Sequence, residues 1–342
     1  MNQPLLNVEH LSVSFKTYAG TMHAVRDVSF SLEQGETLAI VGESGCGKTV
    51  TSKAIMGLLP EQQAIIDTEN SKIVFEGQEL IGMKEADLAK IRGKDISMIF
   101  QDPMTSLNPT MKIGKQIAES ILIHHNVTKD EAMKKAEEML EMVRIPNAKD
   151  RMRQYPFEFS GGMRQRAMIA TALVCRPKIL IADEPTTALD VTIQAQIMDL
   201  IQDLKKELNM GVILVTHDLG VVASVADKVQ VMYAGKIVEY GVADEIFYSQ
   251  KHPYTYALLK SVPRVSTQNK DVLYSLKGTP PDLLDPPPGC AFAARCEYGM
   301  NICRRVIPEY TTFSDTQKSA CWLHNASADK SGIPEILVGG AK

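Results

Sequence analysis

The chain has 342 residues, enough for a full α/β core with residues left for a smaller attachment. Hydrophobic residues at 44% and charged residues at 23% are ordinary globular values, which excludes disordered and collagen-like classes. A net charge of −4 lacks the basic excess of a nucleic-acid binder, so no nucleic-acid partner is expected.

The opening Met1-Asn2-Gln3-Pro4 runs straight into strand-like sequence, which speaks against a secretory leader. Over the first ~100 residues strand patterns dominate. Residues 11–15 alternate at period two, and residues 25–32 do so in part. The apolar runs 37–41, 96–100, 179–182 and 212–216 suit strands buried on both faces. Each is far shorter than the roughly 20 residues that cross a bilayer, so a membrane role would run through partners.

Between residues 113 and 176 the period becomes helical. Thr128-Lys129-Asp130-Glu131 is a capping-box pattern, followed by the apolar face Ala132, Ala136, Met139, Leu140 and Val143. A second helix follows Asp190, with Ile193, Ile197, Leu200, Leu204 and Leu208 on its buried side. After about residue 250, Pro280, Pro281, Pro286, Pro287 and Pro288 forbid regular helix or ladder around them. The polar tail beyond Asn325 is expected to be mobile.

The phosphate-binding candidate is Gly42-Glu43-Ser44-Gly45-Cys46-Gly47-Lys48-Thr49, placed after a strand and before a helix. Its glycines let backbone N–H groups surround phosphates, Lys48 neutralises charge, and Thr49 offers a hydroxyl to Mg²⁺. Cys46 reads as a small spacer whose thiol, if accessible, would make the site alkylation-sensitive. Asp183 and Glu184 end a buried strand, where a carboxylate is costly without a cation to serve. Asp183 is the natural Mg²⁺ partner and Glu184 the candidate base for the attacking water.

Gln101 and His217 end two further strands, so four strand ends could face one nucleotide, as in open parallel sheets. Phe159-Ser160-Gly161-Gly162-Met163-Arg164-Gln165 opens an amphipathic helix that Ser160 can cap, and its bare N–H groups form a second anion site. A chain has use for two separate phosphate sites when one serves a neighbour's ATP, which implies a sandwich dimer. Cys290, Cys296, Cys303 and Cys321 crowd the proline-constrained end, and four sulfurs suit zinc or an iron–sulfur cluster. The close Cys pair usual in structural zinc is absent, and unligated buried thiols are the alternative.

On these motifs the chain resembles the nucleotide-binding subunit of ATP-binding cassette (ABC) transporters. The loop at 42–49 is similar to Walker A, Gln101 to the Q-loop, and Ser160-Gly161-Gly162-Met163 with Arg164 and Gln165 to the signature. Residues 179–184 resemble Walker B with its catalytic Glu184, Ala188-Leu189-Asp190 the D-loop, and His217 the switch histidine. Phe159 and Met163 depart from the commonest signature, but the Ser-Gly-Gly core is intact. The resemblance implies a P-loop cassette at 1–250: a RecA-like parallel core, an antiparallel β subdomain, and a helical insertion at about 102–176.

ATP would then be bound by Phe15 against adenine, with Tyr18 a close rival, and by residues 42–50 through Val50. Thr49, Gln101 and Asp183 would hold Mg²⁺. Lys48, Gln101, Glu184 and His217 would be catalytic, and residues 160–163 would reach the partner subunit's ATP. The segment from His252 to Pro263, with Gly289 to Cys296, looks like the tail of oligopeptide and dipeptide importer ATPases. Members of that group can carry a [4Fe–4S] cluster, here on Cys290, Cys296, Cys303 and Cys321, so residues 251–342 read as a loop-rich extension.

The resemblance implies peptide import at the cytoplasmic face of the membrane. The partners would be a second ATPase subunit, two permease subunits and an extracytoplasmic peptide-binding protein. The same motor serving nickel, antimicrobial peptides or another solute is the alternative. A soluble ABC ATPase of DNA repair or translation would need a coiled coil between Gln101 and Ser160 or a tandem cassette, and the sequence has neither.

Overall fold

The computed structural model describes residues 3–187, 190–262 and 274–339. They group into two compact units, one drawn from residues 1–6, 31–37 and 74–215, the other from 7–30, 38–73 and 216–342.

In chain order, β1 (Leu6–Thr17) and β2 (Gly20–Leu32) run well beyond the period-two stretches that announce them. β3 (Thr37–Val41) is buried at every position, as its unbroken apolar run requires, and α1 (Lys48–Ile55) follows the glycine-rich loop. β4 (Ala64–Ile66) pairs antiparallel with β1, Val13 opposite Ile66. β5 (Lys72–Phe75) and β6 (Gln78–Glu79) form a hairpin. α2 (Glu85–Ile91) interrupts the expected strands; it buries no residue, so it carries no apolar stripe for a pattern to reveal. β7 (Ile96–Ile99) stops one residue early because Phe100 is exposed.

The helical stretch contains α3 (Pro103–Ser106), α4 (Ile113–His124), α5 (Lys129–Met142), α6 (Ala148–Arg151) and α7 (Gly161–Leu173). The α5 capping box is formed: Thr128 Oγ1 accepts from the Glu131 amide at 3.3 Å, and the Glu131 carboxylate accepts from the Thr128 amide at 2.8 Å. Ala132, Ala136, Met139, Leu140 and Val143 are all buried, the face their spacing marks. Next come β8 (Ile179–Asp183), α8 (Val191–Leu208), β9 (Gly211–Thr216) and α9 (Leu219–Val225). On α8, Ile197, Leu200 and Leu204 are buried as expected, joined by Met198 and Ile201, while Ile193 and Leu208 are half-buried. β10 (Lys228–Tyr233), β11 (Lys236–Val242), α10 (Ala243–Tyr248), α11 (Pro253–Ser261), β12 (Tyr310–Thr312), β13 (Lys318–Ala320) and α12 (Glu335–Val338) complete the order.

Within the first unit, β7, β8 and β9 are parallel neighbours, with Ile179 opposite both Ile96 and Gly211. Within the second, β3 lies parallel to β10, β10 antiparallel to β11, and the β12–β13 hairpin adds to the β11 edge with Glu239 opposite Ser319. The core of this unit gathers Val41, Val229, Val231, Tyr233 and Tyr254 with Phe292, so the carboxyl-terminal segment contributes to it directly.

The expectation of a mobile tail beyond Asn325 is corrected by α12. Leu337 is fully buried, and Lys251 Nζ donates to the carbonyls of Ile336 at 3.1 Å and Gly339 at 2.9 Å. A polar composition hid one apolar anchor and one cation placed to cap the helix end.

Candidate active site

In the second unit, β3 delivers the chain into the glycine-rich loop. Gly42 and Gly47 have φ of +157° and +107°, and a Cβ at either would run into backbone oxygen, of Met232 and Ala24 respectively. Both positions therefore admit only glycine, and the loop keeps its tight turn against the neighbouring backbone. Lys48 opens α1 and is buried, its Nζ donating to the carbonyls of Gly42 at 2.8 Å and Glu43 at 3.0 Å. Thr49 follows in the first turn of α1, half-buried, and Val50 beside it likewise. Ser44 and Gly45 face outward. Cys46 is buried, and burial raises its thiol pKa; it is a spacer rather than an exposed nucleophile. His217, in the same unit, is exposed just beyond the end of β9.

The first unit holds the carboxylates. Asp183 is the buried last residue of β8, in register with Val215. Glu184 turns out of the strand at φ +47°, an uncommon conformation for a side-chain-bearing residue, held by its amide donating to the Val215 carbonyl at 2.8 Å. Its Oε2 accepts from Gln101 Nε2 at 2.8 Å and from Thr187 Oγ1 at 3.0 Å. Gln101 and Glu184, 83 positions apart in the chain, are thus brought together as their strand ends implied.

The signature helix belongs to this unit too. Ser160 caps α7, its Oγ accepting from the Met163 amide at 3.4 Å, and Ser160 and Gly161 are exposed while Gly162 and Met163 are half-buried. Gln165 is buried and donates to the Pro185 carbonyl, tying α7 to the turn after Glu184. Sequence reasoning placed Gln165 in a motif but missed this tie, and it missed Thr187. Ala188 and Leu189 of the D-loop lie outside the described residues; Asp190 caps α8, accepting from the Ile193 amide at 3.0 Å. Of the two rings considered for adenine, Phe15 is half-buried on β1 opposite Ala64 and Tyr18 is fully exposed.

Cys290, Cys296, Cys303 and Cys321 line one small, mostly apolar cavity with His252, Phe292 and Trp322, and all four are free thiols. The Cys290 amide donates to the Cys303 carbonyl at 2.7 Å, closing the loop around it. Burial pushes the Cys290 thiol up to about 11 and the Cys296 thiol up to about 12, and neighbouring cysteines add repulsion. Thiolates here would need a cationic group to offset both effects. Among the described residues, no three His, Cys, Asp or Glu side chains are grouped to hold a metal ion.

Residues 25–187 match a family model described as ABC transporter, and residues 238–303 one described as oligopeptide/dipeptide transporter, C-terminal region. Over 340 residues the chain is 53% identical to a dipeptide transport ATP-binding protein of Bacillus subtilis, covering 99% of each. It is 51% identical over 318 residues to an oligopeptide transport ATP-binding protein of Escherichia coli, covering 93% of each. Among solved structures, a dimeric bacterial ABC transporter cassette superposes with a TM-score of 0.62 at 25% identity, over 70% of this chain and 98% of that one. A Clostridium perfringens protein, part of an ABC transporter complex, gives 0.61 at 28% identity, over 72% and 91%.

Proposed function

The chain belongs to the ABC transporter ATP-binding family, in its oligopeptide/dipeptide branch, and from that premise we propose how its residues turn ATP hydrolysis into peptide import. The observation that carries the peptide reading is the 53% identity to a dipeptide transport ATP-binding protein over 99% of both chains. The protein is an ATPase and the motor subunit of a peptide importer.

We take residues 1–250 as the cassette and 251–342 as its extension. In this reading Lys48, Gln101, Asp183, Glu184 and His217 are the residues that serve ATP binding and hydrolysis. Backbone amides of the loop within residues 42–50 and the Lys48 ammonium receive the β- and γ-phosphates, and the glycine-only positions 42 and 47 support that role. Thr49, Gln101 and Asp183 offer the hard oxygen donors that suit Mg²⁺, which supplies charge neutralisation on the phosphates when bound. Glu184 takes the proton of the attacking water, oriented by the Gln101 amide. His217 positions the γ-phosphate, and Phe15 stacks on adenine.

Ser160, Gly161, Gly162 and Met163 reach the ATP of a second ATPase subunit; the exposure of Ser160 and Gly161 supports this. Two permease subunits complete the transporter, and an extracytoplasmic binding protein delivers peptide to them. Among the described residues no helix is long and apolar enough to cross a membrane; in this reading the subunit is peripheral and works at the cytoplasmic face. Affinity capture of the tagged chain from native membranes, with its co-purifying proteins identified, tests the assembly. A permease pair with a peptide-binding protein is expected; a nickel-binding protein in its place overturns the peptide cargo.

For the four thiols we propose a [4Fe–4S] cluster rather than zinc. Their placement around one cavity and the suitability of four soft thiolates for iron support it. The chain purified without air is expected to show a visible sulfur-to-iron absorption band that Cys296→Ser diminishes. One equivalent of zinc with no iron overturns the proposal.

A further inference from the structure

Glu43, the second residue of the phosphate loop, is fastened at three points, and two of the fasteners come from the carboxyl-terminal segment. Arg295 grips its carboxylate as a fork, Nη1 donating to Oε2 at 2.5 Å and Nη2 to Oε1 at 2.9 Å. Tyr254 Oη accepts from its amide at 2.9 Å. The third fastener is Lys48 Nζ, which donates to its carbonyl at 3.0 Å.

The Arg295 guanidinium is itself over-determined. Nη1 also donates to Tyr233 Oη at 3.1 Å and Nε to the Lys277 carbonyl at 3.0 Å. It lies 5.7 Å from the centre of the Tyr233 ring, and its side chain is only 5% exposed. The Tyr233 and Tyr254 rings meet at a tilt, 4.6 Å between centres, and both pack on Phe292, so the loop, the β10 end and the segment around Arg295 are joined by one aromatic cluster. Cys296 follows Arg295 directly, so the segment that carries the guanidinium is the one the four thiols shape.

We infer that Arg295 is a positioning residue for nucleotide binding: it orients Glu43 and cancels its charge, so that the phosphate loop meets a polyphosphate anion without a bare carboxylate beside it. The inference rests on the phosphate-binding role proposed above for residues 42–49. A lone Glu43 carboxylate would repel phosphate oxygens, and in a partly desolvated loop that repulsion is weakly screened. Paired bidentately with Arg295, it becomes a dipole that fixes the loop. The chemistry of the γ-phosphate is untouched, so the effect falls on affinity and not on the hydrolytic step.

The test measures MgADP affinity by calorimetry, together with ATPase KM and kcat, on the full chain. The variants are Arg295→Gln, Glu43→Gln, their double mutant and Arg295→Lys. Arg295→Gln is expected to weaken MgADP binding and raise KM about tenfold while kcat changes less than about twofold. Glu43→Gln on that background should recover at least about threefold of the lost affinity, because the uncompensated charge is gone. Arg295→Lys keeps the charge and loses the fork; it should fall between, and it carries the same expectation if Arg295→Gln does not fold. Unchanged affinity in both Arg295 variants, or a loss in kcat with affinity intact, overturns the inference. A wild-type chain that binds no MgADP at all overturns the nucleotide reading instead.

Discussion

Glu184→Gln is expected to abolish steady-state phosphate release, by about 10²- to 10⁴-fold, while MgATP still binds. The amide matches the carboxylate in shape, so the β8 turn, the Glu184 amide bond to Val215 and the φ of +47° can all persist. What disappears is a group able to take a proton from water. Gln101 and Thr187 now donate to Oε2, and a glutamine can offer them its carbonyl oxygen instead, so the local structure need not collapse. Binding should therefore survive where turnover does not. Phosphate release at saturating ATP, read beside nucleotide binding, checks the result. Turnover within a few-fold of wild type would remove Glu184 from the mechanism.

Glu239 carries the second large effect, on stability. It sits on β11, fully buried, where its carboxylate accepts from the Lys251 amide at 2.5 Å, the His252 amide at 2.9 Å and Gln317 Nε2 at 3.2 Å. One side chain thus joins the strand to the start of α11 and to the residue before β13. Glu239→Ala would strand three buried donors, each worth roughly 1–3 kcal/mol, so a loss of at least about 3 kcal/mol is expected. Thermal unfolding measures it.

The pH dependence follows from the same burial, which pushes the Glu239 carboxyl up to about 7 from an ordinary 4.5. The fold then favours the protonated form. Its contribution is complete below about pH 4.5 and is lost as pH rises through 7, amounting to about 3 kcal/mol. Tm should accordingly fall between about pH 4.5 and 7, and Glu239→Gln, which cannot ionise, should flatten that part of the profile. An unchanged slope in Glu239→Gln would show that another group sets it.

The buried strands were legible because a strand covered on both faces must be largely apolar, as β3, β8 and β9 are but for Thr37, Asp183 and Thr216 at their ends. The α5 start was legible because a capping box is a local bargain among four residues. By contrast α2 and the three-residue strands β12 and β13 left no trace, since an exposed helix needs no apolar stripe and a short edge strand is specified by its neighbour. The meeting of Gln101 with Glu184 could be argued from strand ends. The contact of Gln165 with Pro185 could not, because nothing in either residue's neighbourhood names the other.

By itself the sequence determined the cassette motifs, their order and the four-cysteine tail, all of which are written in residues close together in the chain. Only the tertiary structure decided that Arg295 would clasp Glu43 across 252 positions, that Tyr254 would hold the same residue's amide, and that Glu239 would join strand, helix and hairpin. Local patterns specify local geometry, whereas a buried polar group must find its partner wherever the packed fold brings one within reach.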